Sequence, residues 1–339
     1  MRIPVLWAGA FALLATPTIA DATEWRVSLW GKRRAFTEHV EHLARLVSQR
    51  TRGEFRIELF YGGLAPSREN LAGIADGRFE MAQFCAGYHP EKNRAITVLE
   101  LPFIGTATLE EERAISESVY AHPAAVREMQ QWNAKLLMPT PLPQYNLVGV
   151  GPRPDGLDWF DGKTIRATGG IGRALGELGS ETRSLTATET YAALESGALD
   201  AVAFAQHAHF AFNTIALAEW WTANLNPGSV NCPVVVNIDA YEALPEAHRA
   251  ALDAAVAPAL DYYLLNYADL IGKWNVVLEL FGVPVVALEP ETKAAIIART
   301  AEAARTAWLE DMAEAGLPGQ ELLDLVDDRL SVLQGGEGG

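Results

Sequence analysis

Arg166 stands at the end of a short predicted strand, where a cation can act on a bound ligand. The strand covers residues 163–167, and Gly169, Gly170 and Gly172 then let the chain turn sharply into a helix. A guanidinium presents a planar fork that matches a carboxylate through two parallel hydrogen bonds. Because ligands collect at the carboxyl ends of strands in open α/β sheets, this position predicts an anion site. A structural salt bridge at the strand end is the alternative.

The glycines after Arg166 could instead belong to a dinucleotide-binding turn. That fingerprint is Gly-x-Gly-x-x-Gly, but Gly170, Gly172 and Gly176 space the last glycine one position too far. An arginine at the strand end is also unusual for that motif. A tight turn beside the ligand is the better interpretation, and we expect no cofactor.

Histidines and cysteines offer little further chemistry. His207 and His209 could face the same way on a strand and hold a metal, but no third ligand is evident, so we expect solvated or core-edge histidines and no metal. Cys85 and Cys232 could pair in an oxidising compartment or remain separate core thiols. The chain lacks His-Glu-x-x-His, Gly-x-Ser-x-Gly and Cys-x-x-Cys. The usual hydrolase and redox signatures are therefore missing, which argues against an enzyme.

Length, charge and the amino terminus limit the class of protein. The 339 residues suggest two domains, and a net charge of −16 argues against nucleic-acid binding. Arg2, the apolar stretch 5–15 and Ala-Asp-Ala at 20–22 are typical of a cleaved export signal. We expect cleavage after Ala22, or after Ala20, and a soluble periplasmic protein.

Strands and helices that would position these residues alternate along the first part of the chain. Residues 24–30, 55–61 and 79–85 read as strands, with helices at 36–47 and 68–75 between them. This βαβαβ order implies a parallel sheet with helices on both faces.

The remaining chain predicts a second α/β lobe and two crossings between the lobes. The predicted helices are 109–132, 186–197, 210–223, 245–280, 291–315 and 321–333, and the predicted strands are 135–138, 145–150, 198–204, 233–237 and the edge strand 283–288. Strands 145–150 and 233–237 are the predicted crossings. The predicted division is a signal peptide at 1–22, the first lobe at 23–146 and 231–270, the second lobe at 147–230, and the second lobe with the C-terminal helices at 271–334. A cleft between two lobes is a favoured place for a ligand.

Two motifs resemble those of the solute-binding proteins of tripartite ATP-independent periplasmic (TRAP) transporters. Residues 159–166 read Trp-Phe-Asp-Gly-Lys-Thr-Ile-Arg, similar to the family's Asp-x-x-Gly-x-Lys-x-Arg. Residues 189–200 read Glu-Thr-Tyr-Ala-Ala-Leu-Glu-Ser-Gly-Ala-Leu-Asp, similar to Glu-x-Tyr-x-Ala-Leu-x-x-Gly-x-x-Asp. The resemblance extends over nearly the whole mature chain. It implies a two-lobed periplasmic binding protein fold, pairing of Arg166 with the solute carboxylate, and delivery of the solute to TRAP membrane subunits.

The chain departs from that family at residues 200–204. They read Asp-Ala-Val-Ala-Phe where many members have Asp-Gly-Gln-Glu-Asn or Asp-Gly-Ala-Glu-Trp. Ala203 and Phe204 thus replace polar residues that hold the solute or, in 2-oxo acid binders, a metal ion. The family's other frequent arginine has no counterpart near Asn146. Both differences argue against a sugar acid as the solute.

Aromatic residues at strand ends are expected to wall the cleft. The predicted ligand-binding residues are Arg166, Phe204, Trp30, Phe84, Tyr88, Asn146, Gln206 and Asn231. Aromatic walls favour a flat or apolar body, so we expect a monoanion with a compact or aromatic part, ahead of a C4-dicarboxylate or sugar acid. Alternatively, the rings pack inside the lobes and a small carboxylate is held through waters. Two other functions remain open: an exported enzyme acting on a small organic acid, and a ligand-sensing subunit.

Overall fold

The chain forms two α/β lobes, each built on its own sheet, in the computed structural model, which describes residues 22–335. The strands are β1 (Thr23–Leu29), β2 (Phe55–Tyr61), β3 (Met81–Gln83), β4 (Ala134–Met138), β5 (Asn146–Gly149), β6 (Thr164–Arg166), β7 (Glu181–Arg183), β8 (Ala201–Phe204), β9 (Trp220–Thr222), β10 (Val234–Asn237) and β11 (Val285–Val286). The helices are α1 (Glu38–Arg50), α2 (Asn70–Ala75), α3 (Leu109–Ala121), α4 (Pro123–Gln130), α5 (Gly169–Glu177), α6 (Thr190–Glu195), α7 (Gln206–Ala211), α8 (Ile238–Glu242), α9 (Glu246–Leu280), α10 (Pro290–Glu314) and α11 (Gly319–Gly335). Of the predicted signal peptide, residues 1–21 lie outside the described residues.

The first lobe has the sheet order β2-β1-β3-β10-β4. As predicted, β1 runs parallel to both β2 and β3. The later strand β10 enters this sheet antiparallel to β3 and β4, which makes it the return of the chain from the second lobe. Val40, Leu43 and Val47 recur at helical spacing on α1 and pack in the same core as Val27 and Phe55.

The second lobe has the sheet order β11-β9-β5-β8-β6-β7. Strand β6 lies parallel to its neighbours β7 and β8, and Arg166 is its last residue, as the sequence predicts. Gly169 follows with φ 56, a left-handed conformation that glycine adopts without steric cost and that turns the chain into α5. The edge position predicted for the strand at 283–288 is confirmed by β11.

Two secondary-structure predictions in this lobe are wrong. The predicted helix 210–223 is instead the end of α7, a short 3-10 turn and the strand β9. Strand β7, which no prediction included, separates α5 from α6. Both strands contain three residues, too few for an alternating pattern to show, and pairing with β5 and β6 rather than local propensity defines them.

Helix α9 connects the two lobes. Its first half buries Leu252, Ala255 and Leu260 in the core of the first lobe. Its second half buries Tyr267 and Trp274 in the core of the second lobe. The helix α11 packs with α3 in a further cluster of the first lobe, so residues 22–335 start and finish on the same lobe.

The two cysteines left open by the sequence form a disulfide between Cys85 and Cys232. Cys85 follows β3 and Cys232 precedes β10, and these two strands pair antiparallel through Val234 and Gln83. The bond therefore links the first lobe's early strand to the returning chain across a sequence separation of 147 residues. Among residues 22–335, no helix is long and apolar enough to cross a membrane.

Candidate functional site

The two lobes enclose a small aromatic cavity around Arg166. Trp30, Phe36 and Tyr88 line it from the first lobe, and Arg166, Phe204 and Phe212 line it from the second. The Cys85–Cys232 disulfide forms part of the same wall. The cavity thus combines one cation with mostly apolar surroundings.

Arg166 is held in place by backbone carbonyls. Its Nε donates to the oxygen of Leu185 at 3.0 Å and its Nη1 donates to the oxygen of Ala203 at 3.1 Å. The guanidinium lies 4.3 Å from the centre of the Phe204 ring, and the side chain is buried. Two terminal N–H groups, one on each Nη atom, remain available once these bonds and one from Nη2 to Tyr88 are made. These two N–H groups can donate to a carboxylate.

Tyr88 joins the two lobes at this cavity. Its hydroxyl oxygen accepts from Arg166 Nη2 at 3.4 Å and from the backbone N–H of Ala187 at 3.2 Å. Arg68 of the first lobe donates to the carbonyl oxygen of Tyr88 at 3.1 Å and also to that of Ser184 in the second lobe. Tyr88 therefore lies where a solute carboxylate facing Arg166 would also make contact.

The cavity is closed to any solute larger than water. Its free volume is about 20 Å³, close to the space that one water molecule needs. A wider groove of about 800 Å³ lies beside it, shares Tyr88 and Thr168 with it, and carries Arg68, Arg94 and Arg173. Only the smaller of these two cavities contains Arg166.

A carboxylate contact between the lobes stands at the edge of the groove. Glu100 of the first lobe faces Gly169 and Gly170 at the start of α5, so closely that a Cβ on Gly170 would lie 1.8 Å from the carbonyl oxygen of Glu100. Its Oε1 accepts from the N–H of Asn231 at 2.9 Å and of Gly87 at 3.1 Å. Burial raises the pKa of Glu100 to about 7, partly offset by these two hydrogen bonds.

The structure brings together half of the sequence-predicted ligand residues. Arg166, Phe204, Trp30 and Tyr88 all line the cavity. Their role in binding stays a prediction, since the cavity geometry shows only that they share one wall.

The other four predicted residues lie elsewhere. Phe84 is fully buried in a core cluster of the first lobe. The side chain of Asn146 is bonded to Asn226 and Thr222, Asn231 accepts from Tyr120, and Gln206 faces a surface groove beside α9. The prediction for Phe84 rests on its strand-end position, which leaves open the side to which the residue points. Asn146, Gln206 and Asn231 are predicted only as possible polar partners of the solute.

The two histidines occupy helix α7 rather than a strand, and both are buried rather than solvated. The Nδ1 of His209 forms a hydrogen bond of 2.9 Å with the hydroxyl of Thr214, and the Nδ1 of His207 forms one with the hydroxyl of Tyr267. Burial lowers the pKa of His209 to about 3 and that of His207 well below its usual value. No cluster of potential metal ligands occurs among residues 22–335.

Sequence reasoning missed several residues around the cavity. Phe36, Tyr145 and Phe212 line it from segments predicted as helix, crossing strand and helix. Arg34, five residues after β1, lies among the same rings with its guanidinium 4.4 Å from the centre of Trp30. The one available signal was the pair of arginines at 33–34 directly after a predicted strand end.

Two α/β lobes that close on an arginine in an aromatic cavity define a solute-binding protein of the two-lobed type. The model of the family described as bacterial extracellular solute-binding protein, family 7, matches residues 27–311. The chain therefore belongs to this family. It is a solute receptor of the kind that works with TRAP membrane subunits, and the family is periplasmic.

Known relatives agree with that assignment. A marine metagenome TRAP solute-binding protein, specific for aromatic acid ligands and solved with 3-hydroxybenzoate, is 18% identical with a TM-score of 0.82, covering 92% of this chain and 99% of its own. A TRAP solute-binding protein of Rhodoferax ferrireducens, solved with copurified benzoate, is 17% identical with a TM-score of 0.82, covering 91% and 98%. The outer membrane transporter protein TsaT of Comamonas testosteroni is 24% identical over 296 residues, 84% of each chain.

Proposed function

We propose that this protein is the periplasmic receptor for an organic monoanion with a flat or compact apolar body, most simply an aromatic carboxylate. Arg166 receives the carboxylate through its two free terminal N–H groups, and the rings of Trp30, Tyr88 and Phe204 cover the body of the solute. The protein then delivers the unchanged solute to TRAP membrane subunits. It catalyses no reaction and reaches the periplasm through a cleaved N-terminal signal.

One observation carries this proposal. The only arginine that lines the described cavity lies 4.3 Å from an aromatic ring, within a wall built from Trp30, Phe36 and Phe212. Such a wall offers few hydrogen bonds to a sugar acid, whose hydroxyls would be buried without partners at a cost of about 1–3 kcal/mol each. An aromatic body replaces water against these rings favourably. The benzoate and 3-hydroxybenzoate found in the two similar structures support the same chemical class.

A thermal-shift panel tests the proposed solute class. Aromatic monocarboxylates, short aliphatic acids, C4-dicarboxylates and sugar acids are added separately to the mature protein, and titration calorimetry follows each positive result. We expect aromatic monocarboxylates to raise the melting temperature most, with recovery of the unchanged acid. Stabilisation by sugar acids or C4-dicarboxylates alone would contradict the proposal, and conversion of a stabilising acid would indicate an enzyme.

A further inference from the structure

Arg34 is a second cation beside the solute cavity, and about three of the five N–H groups of its guanidinium are unused. Its Nη1 donates to the carbonyl oxygens of Trp30 at 2.9 Å and Lys32 at 2.7 Å. Its Nε and Nη2 are buried and have no hydrogen-bond partner among the described residues. Only 8% of the residue is exposed.

No acidic side chain neutralises Arg34 within residues 22–335. Burial lowers its pKa to about 10, so the guanidinium remains charged at neutral pH. The neighbouring Arg33 shows the contrast, because it is exposed and pairs with Glu41 at 2.6 Å. Buried charges are normally paired, so an unpaired one with two free N–H-bearing atoms needs a partner from outside the chain.

The surroundings of Arg34 are those of the cavity itself. Its guanidinium lies 4.4 Å from the ring centre of Trp30, 4.6 Å from that of Phe36 and 5.3 Å from that of Phe212. All three rings line the space around Arg166. Arg34 thus packs against three rings that line this space, although it does not itself line it in the closed structure.

One of the three rings comes from the opposite lobe. Phe212 follows α7 of the second lobe and stacks on Trp30 of the first, with ring centres 6.2 Å apart and planes inclined by 12°. When the lobes separate to admit a solute, Phe212 moves away with its own lobe. Arg34 then becomes part of the open cleft surface, facing the lobe that carries Arg166.

A purely structural role explains only part of this arrangement. The two hydrogen bonds from Nη1 fix the loop that follows β1, and the two N–H groups of this one nitrogen are enough to make both. They leave the other nitrogens buried without partners, which a structural arginine would avoid by pairing with a carboxylate or carbonyl. Arg166, in contrast, places both its Nε and its Nη1 on backbone oxygens.

We propose that Arg34 is a second anion-binding group of the cleft, which takes an oxygen acceptor on the solute at the end opposite to the carboxylate held by Arg166. This inference rests on the proposed function. It narrows the ring acid to one with a second oxygen group and, where that group is a carboxylate, extends the solute class from a monoanion to a dianion. The preferred solute is a ring acid that carries a hydroxyl or a second carboxylate across the ring. A plain ring acid fills the cavity but leaves Arg34 unpaired.

Matched acids and matched variants test the role of Arg34. Dissociation constants are measured by calorimetry for benzoate, 3- and 4-hydroxybenzoate, and benzene-1,3- and 1,4-dicarboxylate. The proteins are wild type, Arg34→Met, Arg34→Lys and the control Arg33→Met. In wild type, at least one acid with a second oxygen group should bind about tenfold more tightly than benzoate, the gain expected for one hydrogen bond to a charged group.

The variants separate this gain from general effects on folding. Arg34→Met keeps the unbranched stem but loses the bonds to Trp30 and Lys32, so the readout is the ratio of affinities within each protein. The advantage of the second oxygen group over benzoate should disappear in this variant, whatever the change in benzoate affinity itself. Arg33→Met should keep the full advantage. Arg34→Lys keeps the charge but loses the planar fork, so it should retain part of the affinity advantage of the second oxygen group. This variant serves as the test if circular dichroism shows that Arg34→Met does not fold.

Two other outcomes overturn the inference, and they are distinguishable. If benzoate binds but no second oxygen group improves affinity, or if the full improvement survives in a folded Arg34→Met or Arg34→Lys protein, Arg34 has no part in recognition. If none of the ring acids binds wild type, the proposed solute class fails and this inference fails with it.

Discussion

Arg166 shows at the scale of a residue how a cation can be both structural and available. Two of its nitrogens are fixed by backbone oxygens of Leu185 and Ala203, which hold the guanidinium plane against Phe204. The fixed plane removes rotamer freedom before a solute arrives, so less entropy is lost on binding. The two N–H groups left over, one on each Nη atom, can donate to a carboxylate.

Replacement of Arg166 should weaken solute binding in a graded way. Arg166→Ala removes the fork and should cost roughly 2–5 kcal/mol of binding free energy, and Arg166→Lys should cost less because the charge remains. Arg183→Ala is the matched control, because Arg183 lies opposite Arg166 on β7 but is exposed and pairs with Glu181. Calorimetry with the best acid of the panel gives the result. Wild-type affinity in a folded Arg166→Ala protein would exclude this arginine as the carboxylate site.

Glu100 should make stability depend on pH. Its pKa is raised from 4.5 to about 7 because the folded protein buries it. The folded state therefore holds a proton that the unfolded state releases between these values, so the contribution of Glu100 is full below about pH 4.5 and is lost as the pH rises to about 7.

Glu100→Gln keeps the acceptor oxygen for the N–H groups of Gly87 and Asn231 but removes the ionisation. We expect its free energy of unfolding, from urea titrations, to fall less steeply between pH 5 and pH 7 than that of wild type. Glu112, whose pKa is also raised to about 7 by burial, keeps part of the slope in both proteins. Glu110→Gln, at an exposed position on α3, is the control. An identical pH profile in all three proteins would show that Glu100 ionises normally.

Short elements position the site at the next scale. Arg166 lies at the carboxyl end of strand β6. Helix α5 starts three residues later and contacts the first lobe. Gly170 is the point of closest approach, because the backbone oxygen of Glu100 occupies the place of a Cβ at 1.8 Å. The glycines of this turn thus serve contact between lobes as well as the turn itself.

A methyl group at Gly170 should oppose closure of the lobes. Gly170→Ala should raise the dissociation constant for the solute roughly tenfold or more, because the binding-competent closed form becomes less populated. Gly176→Ala lies on the same helix with nothing within 4 Å of its Cβ position. This control should keep its affinity and gain about 0.5–1 kcal/mol of stability from helix propensity. Equal affinities in the two variants would mean that α5 can shift without effect on closure.

The whole molecule is arranged around closure of two lobes. Helix α9 spans both cores, whereas Tyr88, Arg68 and Phe212 make contacts that exist only when the lobes meet. The cavity then has a free volume of about 20 Å³, too little for an aromatic acid. Entry of a solute therefore requires the lobes to separate, and the closed form with solute must be somewhat wider around Phe204 and Phe212.

Small-angle scattering should detect this motion. We expect the ligand-free protein to have a larger radius of gyration than the protein saturated with a binding acid, because the solute stabilises the contacts between lobes. Arg166→Ala should remain expanded at the acid concentration that saturates wild type. Equal radii for wild type with and without acid would contradict an open resting state.

The sequence by itself determined the features that are local or repeated along the chain. The amphipathic helix α1, the long helix α9, the parallel arrangement of β1, β2 and β3, and the position of Arg166 at a strand end could all be predicted. Periodicity indicates which side of an element is buried, and turn residues indicate where the element ends. Both signals are contained in a window of about 11–18 residues, so they need no information from distant parts of the chain.

Only the tertiary structure decided which distant residues share one wall. The Tyr88 hydroxyl meets the N–H of Ala187 across 99 positions, and Cys85 meets Cys232 across 147. Arg34 packs against three rings of the cavity wall, and one of them, Phe212, comes from the other lobe, a contact that no local pattern encodes. Phe84 shows the converse, since its strand-end position suggested the cleft and packing placed it in a core. The direction of a side chain at a strand end depends on the sheet and on the opposite lobe. The sequence could therefore locate Arg166 at a strand end, whereas the residues that surround it could be found only in the structure.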